Sequence, residues 1–196
     1  MNLKLRKIYI TVNLWRVIPV CCCMKLSKFR DKIKEDLDVW KREDGNLEGK
    51  IYSTGEILLY DKAFINLLLN RLHRDPLLWV ITRIFFSPRD SLEINMPPEK
   101  IGGGVYFQHG FATVIAAKEI GEHCWINQQV TVGYTNKTDA PIIGNNCKIS
   151  AGAIVIGDVC VGDNAVVGAG AVVTKNVKAN SVVVGCPARE LNNKKN

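Results

Sequence analysis

The sequence predicts a mainly β protein, a parallel β-helix of hexapeptide repeats preceded by an α-helical region. Two observations carry that reading. Aliphatic residues recur at every sixth position from Ile143 through Ile149, Val155, Val161 and Val167 to Val173, and the same beat runs at Ile120, Ile126 and Val132. A helix repeats about every 3.6 residues and an ordinary strand about every two, so a beat of six means a short strand and a corner repeated around a coil. Composition also changes abruptly after Pro97-Pro98: Gly becomes frequent, Val and Ile dominate, and charge thins out.

Taken in order, residues 1–90 read as helical, 91–190 as the β-helix and 191–196 as a tail. The first 34 residues hold nine Lys/Arg against the single acid Asp31, a charge of +8, which leaves 17 basic against 18 acidic residues elsewhere. The repeat region thus has no basic face to track a phosphate backbone, and nucleic acid is not expected as a partner. The apolar stretch from Ile8 to Met24 is interrupted by Asn13, Arg16 and Pro19 and has no small-x-small cleavage site. It falls short of the roughly 18–20 clean apolar residues of a span. It reads as a helix packed on the repeat domain or on a partner subunit, with peripheral contact of a basic amphipathic helix with an anionic membrane as the alternative.

Ile33, Leu37 and Trp40 share one helical face over Asp31–Arg42, and Asp44-Gly45-Asn46 breaks that helix. A second helix is expected over Glu56–Arg74, ending before Asp75-Pro76, and a third over Leu77–Phe86, stopping at Ser87-Pro88. In the repeats, rungs are set at Ile101, Phe107 and Thr113 and then at the two series above, giving about four coils over 101–178 at three hexads per coil. Gly follows a rung at positions 102, 121, 133, 144, 162 and 168, where a corner taken at positive φ would favour it. One residue is added between Thr113 and Ile120 and about five between Val132 and Ile143, so Tyr134–Pro141 is expected as an external loop.

Seven cysteines form no disulfide framework: Cys21, Cys22 and Cys23 are adjacent, and no CxxC pair suggests zinc. Cys124 and Cys147 fall in a slot otherwise filled by Val130, Ala153, Val159, Ala165 and Ala171, so they read as small core residues. Free thiols in this number suit a reducing cytoplasm.

Three stretches carry a family likeness: Ile101–Ile115 (IGGGVYFQHGFATVI), Ile143–Gly170 (IGNNCKISAGAIVIGDVCVGDNAVVGAG) and Val172–Arg189 (VVTKNVKANSVVVGCPAR). Over nearly half the chain they resemble the hexapeptide-repeat acyltransferases, and within these serine acetyltransferase and its relatives in capsule and exopolysaccharide gene clusters. The resemblance implies a left-handed β-helix, a homotrimer, and transfer of acetyl from acetyl-CoA to a hydroxyl. That chemistry needs one base near neutral pKa, which imidazole supplies. His109 occupies the place of the family's catalytic base, and His73 and His123 read as solvated or structural.

The family places an orienting Asp in a stretch of the form Asp-Ile-His-Pro. Here the stretch is Glu93-Ile94-Asn95-Met96-Pro97, and Glu93 matches with one residue inserted. Two departures concern the acceptor: Ala140 precedes Pro141 where the family carries a second His, and Gln108 replaces an Asp before the catalytic His. An acceptor with ammonium and carboxylate groups calls for charged partners. A sugar hydroxyl needs hydrogen bonds and a stacking surface, which Gln108, Asn127, Gln128 and Tyr134 offer. The acceptor is therefore left as serine or a polysaccharide-precursor sugar.

On the donor side the resemblance places Gly133, Ala151 and Ala169 along the pantetheine arm of CoA, and Thr174, Lys175 and Arg189 at its phosphates. No metal is expected. A zinc hydratase on the same prism needs three His, and only His109 and His123 lie in the repeats. A non-catalytic scaffold or trimerisation module in a polysaccharide assembly complex is the remaining alternative.

Overall fold

A computed structural model of the chain describes residues 2–191, so the expected tail lies, apart from Leu191, outside the described residues. The chain divides into two compact units, Met1–Asp90 and Ser91–Asn196.

The first unit is helical: α1 (Leu3–Val12), α2 (Leu14–Leu26), α3 (Arg30–Asp44), α4 (Lys50–Tyr60), α5 (Lys62–Arg71), a 3-10 turn over Leu72–Arg74, and α6 (Pro76–Phe85). Asn2 caps α1 by accepting from the Lys4 amide at 3.1 Å. At Asn13 the chain bends by 75° into α2. The helix expected over 56–74 is two helices. Asp61 interrupts it and caps α5, its Oδ1 accepting from the Ala63 and Phe64 amides at 2.9 and 3.3 Å. Burial pushes the Asp61 carboxyl up, and those amide bonds oppose the shift. The core centres on Trp40 of α3, edge-on to Phe64 of α5 at 5.4 Å. It also holds charge. Arg71 donates to Asp36 through Nε at 2.9 Å and Nη2 at 3.3 Å. Glu56 accepts from the Asn46 and Leu47 amides at 2.8 and 3.0 Å, satisfying backbone where the chain enters α4.

The second unit is a parallel β-solenoid. Its strands are β1 (Leu92–Ile94), β2 (Tyr106–Phe107), β3 (Thr113–Ile115), β4 (Glu119–Ile120), β5 (Trp125–Ile126), β6 (Thr131–Gly133), β7 (Ile142–Ile143), β8 (Lys148–Ile149), β9 (Ile154–Ile156), β10 (Cys160–Val161), β11 (Val166–Val167), β12 (Val172–Val173), β13 (Val182–Val184) and β14 (Arg189–Glu190). They stack as three sheets: β1-β3-β6-β9-β12, β4-β7-β10, and β2-β5-β8-β11-β13-β14. Bridges at Ile101 and Val177 extend the second sheet at both ends. All pairs are parallel except β13 with β14, where the chain folds back on the last coil. The solenoid is about five coils deep. The estimate of four missed β1 and β13, which lie outside the strict beat.

The rungs align across coils as a stack of identical positions requires: Ile120 with Ile143, Ile126 with Ile149, Val132 with Val155. All are buried, each such side chain contributing roughly 1.5–3 kcal/mol. One rung is corrected. The residue registered with Val132 is Ile115, not Thr113. The first coil therefore carries two extra residues between Phe107 and Ile115 and one fewer before Ile120, which from sequence reads as a single insertion elsewhere.

The glycines after the rungs act differently from expectation. Gly102, Gly121, Gly144 and Gly162 do not have positive φ. A Cβ on Gly121 would meet the carbonyl carbon of Gly144 at 2.6 Å, so they are glycines because coil backbones stack too closely for a side chain. The left-handed conformation falls two residues later, at Gly104, His123, Asn146 and Asn164 (φ 71, 55, 54 and 57). Asn tolerates that region. Gly121→Ala is expected to destabilise the solenoid by about 1–3 kcal/mol, as overpacking does, seen as a lower denaturation midpoint; an unchanged midpoint would refute the close-approach reading.

Cys124 and Cys147 are buried, their thiols directed to the Gly144 and Gly162 carbonyls of the following coil at 3.0 and 3.2 Å. A hydrogen bond with the neighbouring Cys147 thiol, together with burial, pushes the Cys124 thiol far up, the condition of an inert core residue.

Candidate active site

Two edges of the solenoid flank the first sheet, and the residues singled out from sequence distribute between them. Along the edge entering that sheet, corners stack through backbone bonds from Gln129 N to Phe111 O (2.9 Å), Gly152 N to Gln128 O (3.1 Å) and Gly170 N to Ala151 O (2.9 Å). Coil by coil this edge carries His109, then Asn127 and Gln128, then Ala151, then Ala169. Along the edge leaving the sheet lie Gly133 and Tyr134, then Gly157, whose amide donates to the Gly133 carbonyl at 3.1 Å, then Thr174 and Lys175.

The two extra residues of the first coil fall in the corner that holds His109. Three residues there have positive φ: His109 (63), Gly110 (61) and Ala112 (50). Backbone bonds fix this widened corner, from Gly110 N to Gln108 O at 2.8 Å and from Gln108 N to Ile126 O at 2.9 Å. The imidazole is exposed, raised from the prism on a rigid turn.

Beside it is a network of neutral side chains. Gln108 Oε1 accepts from Asn127 Nδ2 at 2.7 Å and from Trp125 Nε1 at 3.4 Å. Trp125 is in edge-to-face contact with Tyr106, ring centroids 4.7 Å apart, and Lys148 Nζ sits 5.1 Å from its ring centroid. Asn127 Oδ1 and Gln128 Oε1 are buried acceptors with no hydrogen-bond partner among the described residues. Buried acceptors in that condition call for a donor, which a bound hydroxyl or N–H supplies.

Glu93 lies on β1, registered with Val114 of β3, the strand that follows the His109 corner. Its carboxylate accepts from Asn95 Nδ2 at 3.2 Å and is not hydrogen-bonded to His109. The two groups share one end of one sheet without forming a dyad.

Further along, the edges are lined by small residues facing open space. A Cβ on Gly133 or on Gly170 would meet nothing within 4 Å, so this chain's own packing does not demand glycine at Gly133. Gly170 has φ 66 and therefore a conformational reason as well. Sequence reasoning passed over Gly152 and Gly170; the repeated Ala-Gly-Ala at 151–153 and 169–171 was the available signal. Two cationic side chains lie on the last coil. Thr174 and Lys175 follow β12, and the Ala188 amide donates to the Val172 carbonyl of that strand at 2.8 Å, bringing Arg189 to the same coil. From β3 to β12 is three strand spacings, about 14 Å.

The external loop is held by a residue the sequence reading left out. Asp139 accepts from the Thr135 and Asn136 amides at 2.8 Å each, and from the Thr135 hydroxyl. The Thr135 hydroxyl and the Asn136 amide hold its carboxyl below the usual range. Tyr134 stands exposed at the root of this loop. Among the described residues no His/Cys/Asp/Glu group is arranged to hold a metal.

Comparison with known proteins agrees with this architecture. A family model for the bacterial transferase hexapeptide (six repeats) matches residues 140–175. The serine acetyltransferase of Staphylococcus xylosus is 30% identical over 172 residues, covering 83% of this chain and 77% of that protein. The first curated relatives match about half of this chain, and the chain spans 42% to 61% of their length. Among solved structures, soybean serine acetyltransferase complexed with serine superposes with a TM-score of 0.64 at 30% identity, covering 83% of this chain and 69% of that one. A serine acetyltransferase in complex with CoA superposes with a TM-score of 0.64 at 27% identity, over 82% and 68% of the two chains. With the repeat beat, the coil register and these matches in agreement, the chain belongs to the hexapeptide-repeat acyltransferases of the serine acetyltransferase family.

Proposed function

We propose that this protein is an acetyl-CoA-dependent O-acetyltransferase whose acceptor is the hydroxyl of serine. One arrangement carries the reading: an exposed imidazole on a rigid corner of the first coil, joined by edges of small residues to cations on the last coil. A long donor with its thioester at one end and phosphates at the other fits that layout. His109 takes the proton of the acceptor hydroxyl as its oxygen attacks the thioester carbon. The tetrahedral adduct collapses, the C–S bond breaks, and the imidazolium returns its proton to the departing thiolate. Glu93 would orient the imidazole after a side-chain rotation away from Asn95. Ala151, Ala169 and Gly133 leave room for the pantetheine arm, and Thr174, Lys175 and Arg189 meet the phosphates. We place the enzyme in the cytoplasm as a homotrimer, the donor lying in the groove between neighbouring prisms.

Serine is the acceptor named for the relatives, and the soybean complex contains it. A second acceptor class, a sugar hydroxyl of a polysaccharide precursor, is favoured by the uncharged set Gln108, Asn127 and Gln128 and by Ala140 before Pro141. Release of free thiol from acetyl-CoA, measured with serine and with a panel of sugars and nucleotide sugars, separates the two. No release with any acceptor, together with no acetyl-CoA binding, would leave the prism as a scaffold.

The donor assignment makes its own prediction. Replacing both Lys175 and Arg189 by Ala is expected to raise KM for acetyl-CoA roughly tenfold or more with little change in kcat, since charge-assisted bonds to phosphate act in ground and transition states alike. An unchanged KM removes these two residues from the donor site.

A further inference from the structure

α1 is packed with its apolar side outward. The side toward the rest of the helical unit carries the buried Ile10 and Arg6, which is paired with Glu56. At about 100° per residue the opposite side carries Leu5, Ile8 and Val12, and Val12 is 67% exposed. α2 repeats the pattern. It buries Val17, Val20 and Cys23 and presents Trp15, Ile18 and Leu26, with Trp15 66% exposed. α6 buries Thr82 and exposes Leu77, Val80 and Ile84, the last at 73%. The helices are neighbours: Trp15 meets Phe85 edge-on at 6.0 Å, and Arg16 Nη2 donates to the Phe85 carbonyl at 2.5 Å. Single exposed apolar residues are ordinary on a protein surface, but one stripe on each of three helices, two of them in mutual contact, marks a surface that meets something apolar.

Charge selects the partner. Lys4 and Lys7 are exposed on α1, and Lys25 and Lys28 are exposed at and just beyond the end of α2. The first 34 residues carry nine Lys/Arg against one acid. A second copy meeting this surface across a two-fold axis would bring an equal positive charge against it. Anionic lipid headgroups neutralise it, and the acyl boundary takes the apolar side chains. No single described helix is long and apolar enough to cross a bilayer; α1 and α2 reach that length only together, and they bend by 75° at Asn13 and bury Ile10, Val17 and Val20 in the helical unit, which fits contact with a surface.

We propose that α1, α2 and α6 form a docking surface for an anionic membrane, with α1 lying in the interface. The full chain is expected to co-sediment with vesicles of equimolar phosphatidylcholine and phosphatidylglycerol and to shift its tryptophan emission to the blue. Binding should fall as salt is raised, because screening weakens the lysine contribution. The double variant Ile8→Glu/Trp15→Glu should retain its helical circular dichroism, both positions being exposed, and bind the same vesicles roughly tenfold more weakly or worse. Three results would overturn the proposal: no co-sedimentation of the unaltered chain, equal binding to pure phosphatidylcholine, or a larger assembly for the unaltered chain than for the variant by light scattering. The last would assign the face to a second copy.

Discussion

His109→Asn is expected to lower acetyl transfer by about 10²–10⁴-fold, the contribution of a positioned general base, while leaving the unfolding midpoint and assembly unchanged. Asn is the better replacement because His109 has φ 63, in the left-handed region that Asn accepts and Ala resists. The corner would stay intact with only the proton acceptor removed. His109→Ala should lose as much activity with a small additional loss of stability. Acetyl-CoA binding should persist in both variants, since the residues assigned to the donor lie on other coils. Near-normal kcat in His109→Asn, measured by thiol release, would take the base away from this residue.

Much of the solenoid was legible because a stacked coil repeats one physical demand at every sixth position: an aliphatic side chain turned inward. Ile143 to Val173 obey it without exception, and the structure buries each one. Legibility failed where two irregularities compensate. The first coil gains two residues at the His109 corner and loses one at the next, so a count of spacings shows a single addition and puts the rung on Thr113 instead of Ile115. That widened corner is the most distinctive local feature of the candidate site, and periodicity hides it.

The glycines show a different limit. Gly121 and Gly144 were visible as corner residues, but their reason is the approach of one coil's backbone to the next, a distance no single-coil argument contains. Gln108 and Asn127 were chosen as hydrogen-bonding groups, and they are engaged with each other, fixing which face is presented. Glu93 was chosen by likeness and lies on the adjoining strand, with its carboxylate turned to Asn95. Motif spacing locates a residue along the chain; it does not orient the side chain.

In the helical unit the largest expected stability effect comes from a pair that helical periodicity could not foresee. Asp36→Ala is expected to destabilise the protein by about 3–5 kcal/mol, because it takes from the buried Arg71 guanidinium the carboxylate that accepts from its Nε and Nη2. Arg71 is 0% exposed and Asp36 is 1% exposed, so water offers little relief. The pair ties α3 to α5 through bonds donated by Nε and Nη2 in fork geometry, which lysine could not reproduce. Against a typical total of about 5–15 kcal/mol, such a loss moves the chain close to unfolding at physiological temperature. The double variant Asp36→Ala/Arg71→Met should recover a large part of the deficit, since removing both charges removes the desolvation penalty along with the attraction. Denaturant unfolding of the two variants checks both statements. A single variant within about 1 kcal/mol of the unaltered chain would show that solvent reaches the guanidinium, and a double variant no better than the single would show that the arginine's packing matters more than its charge.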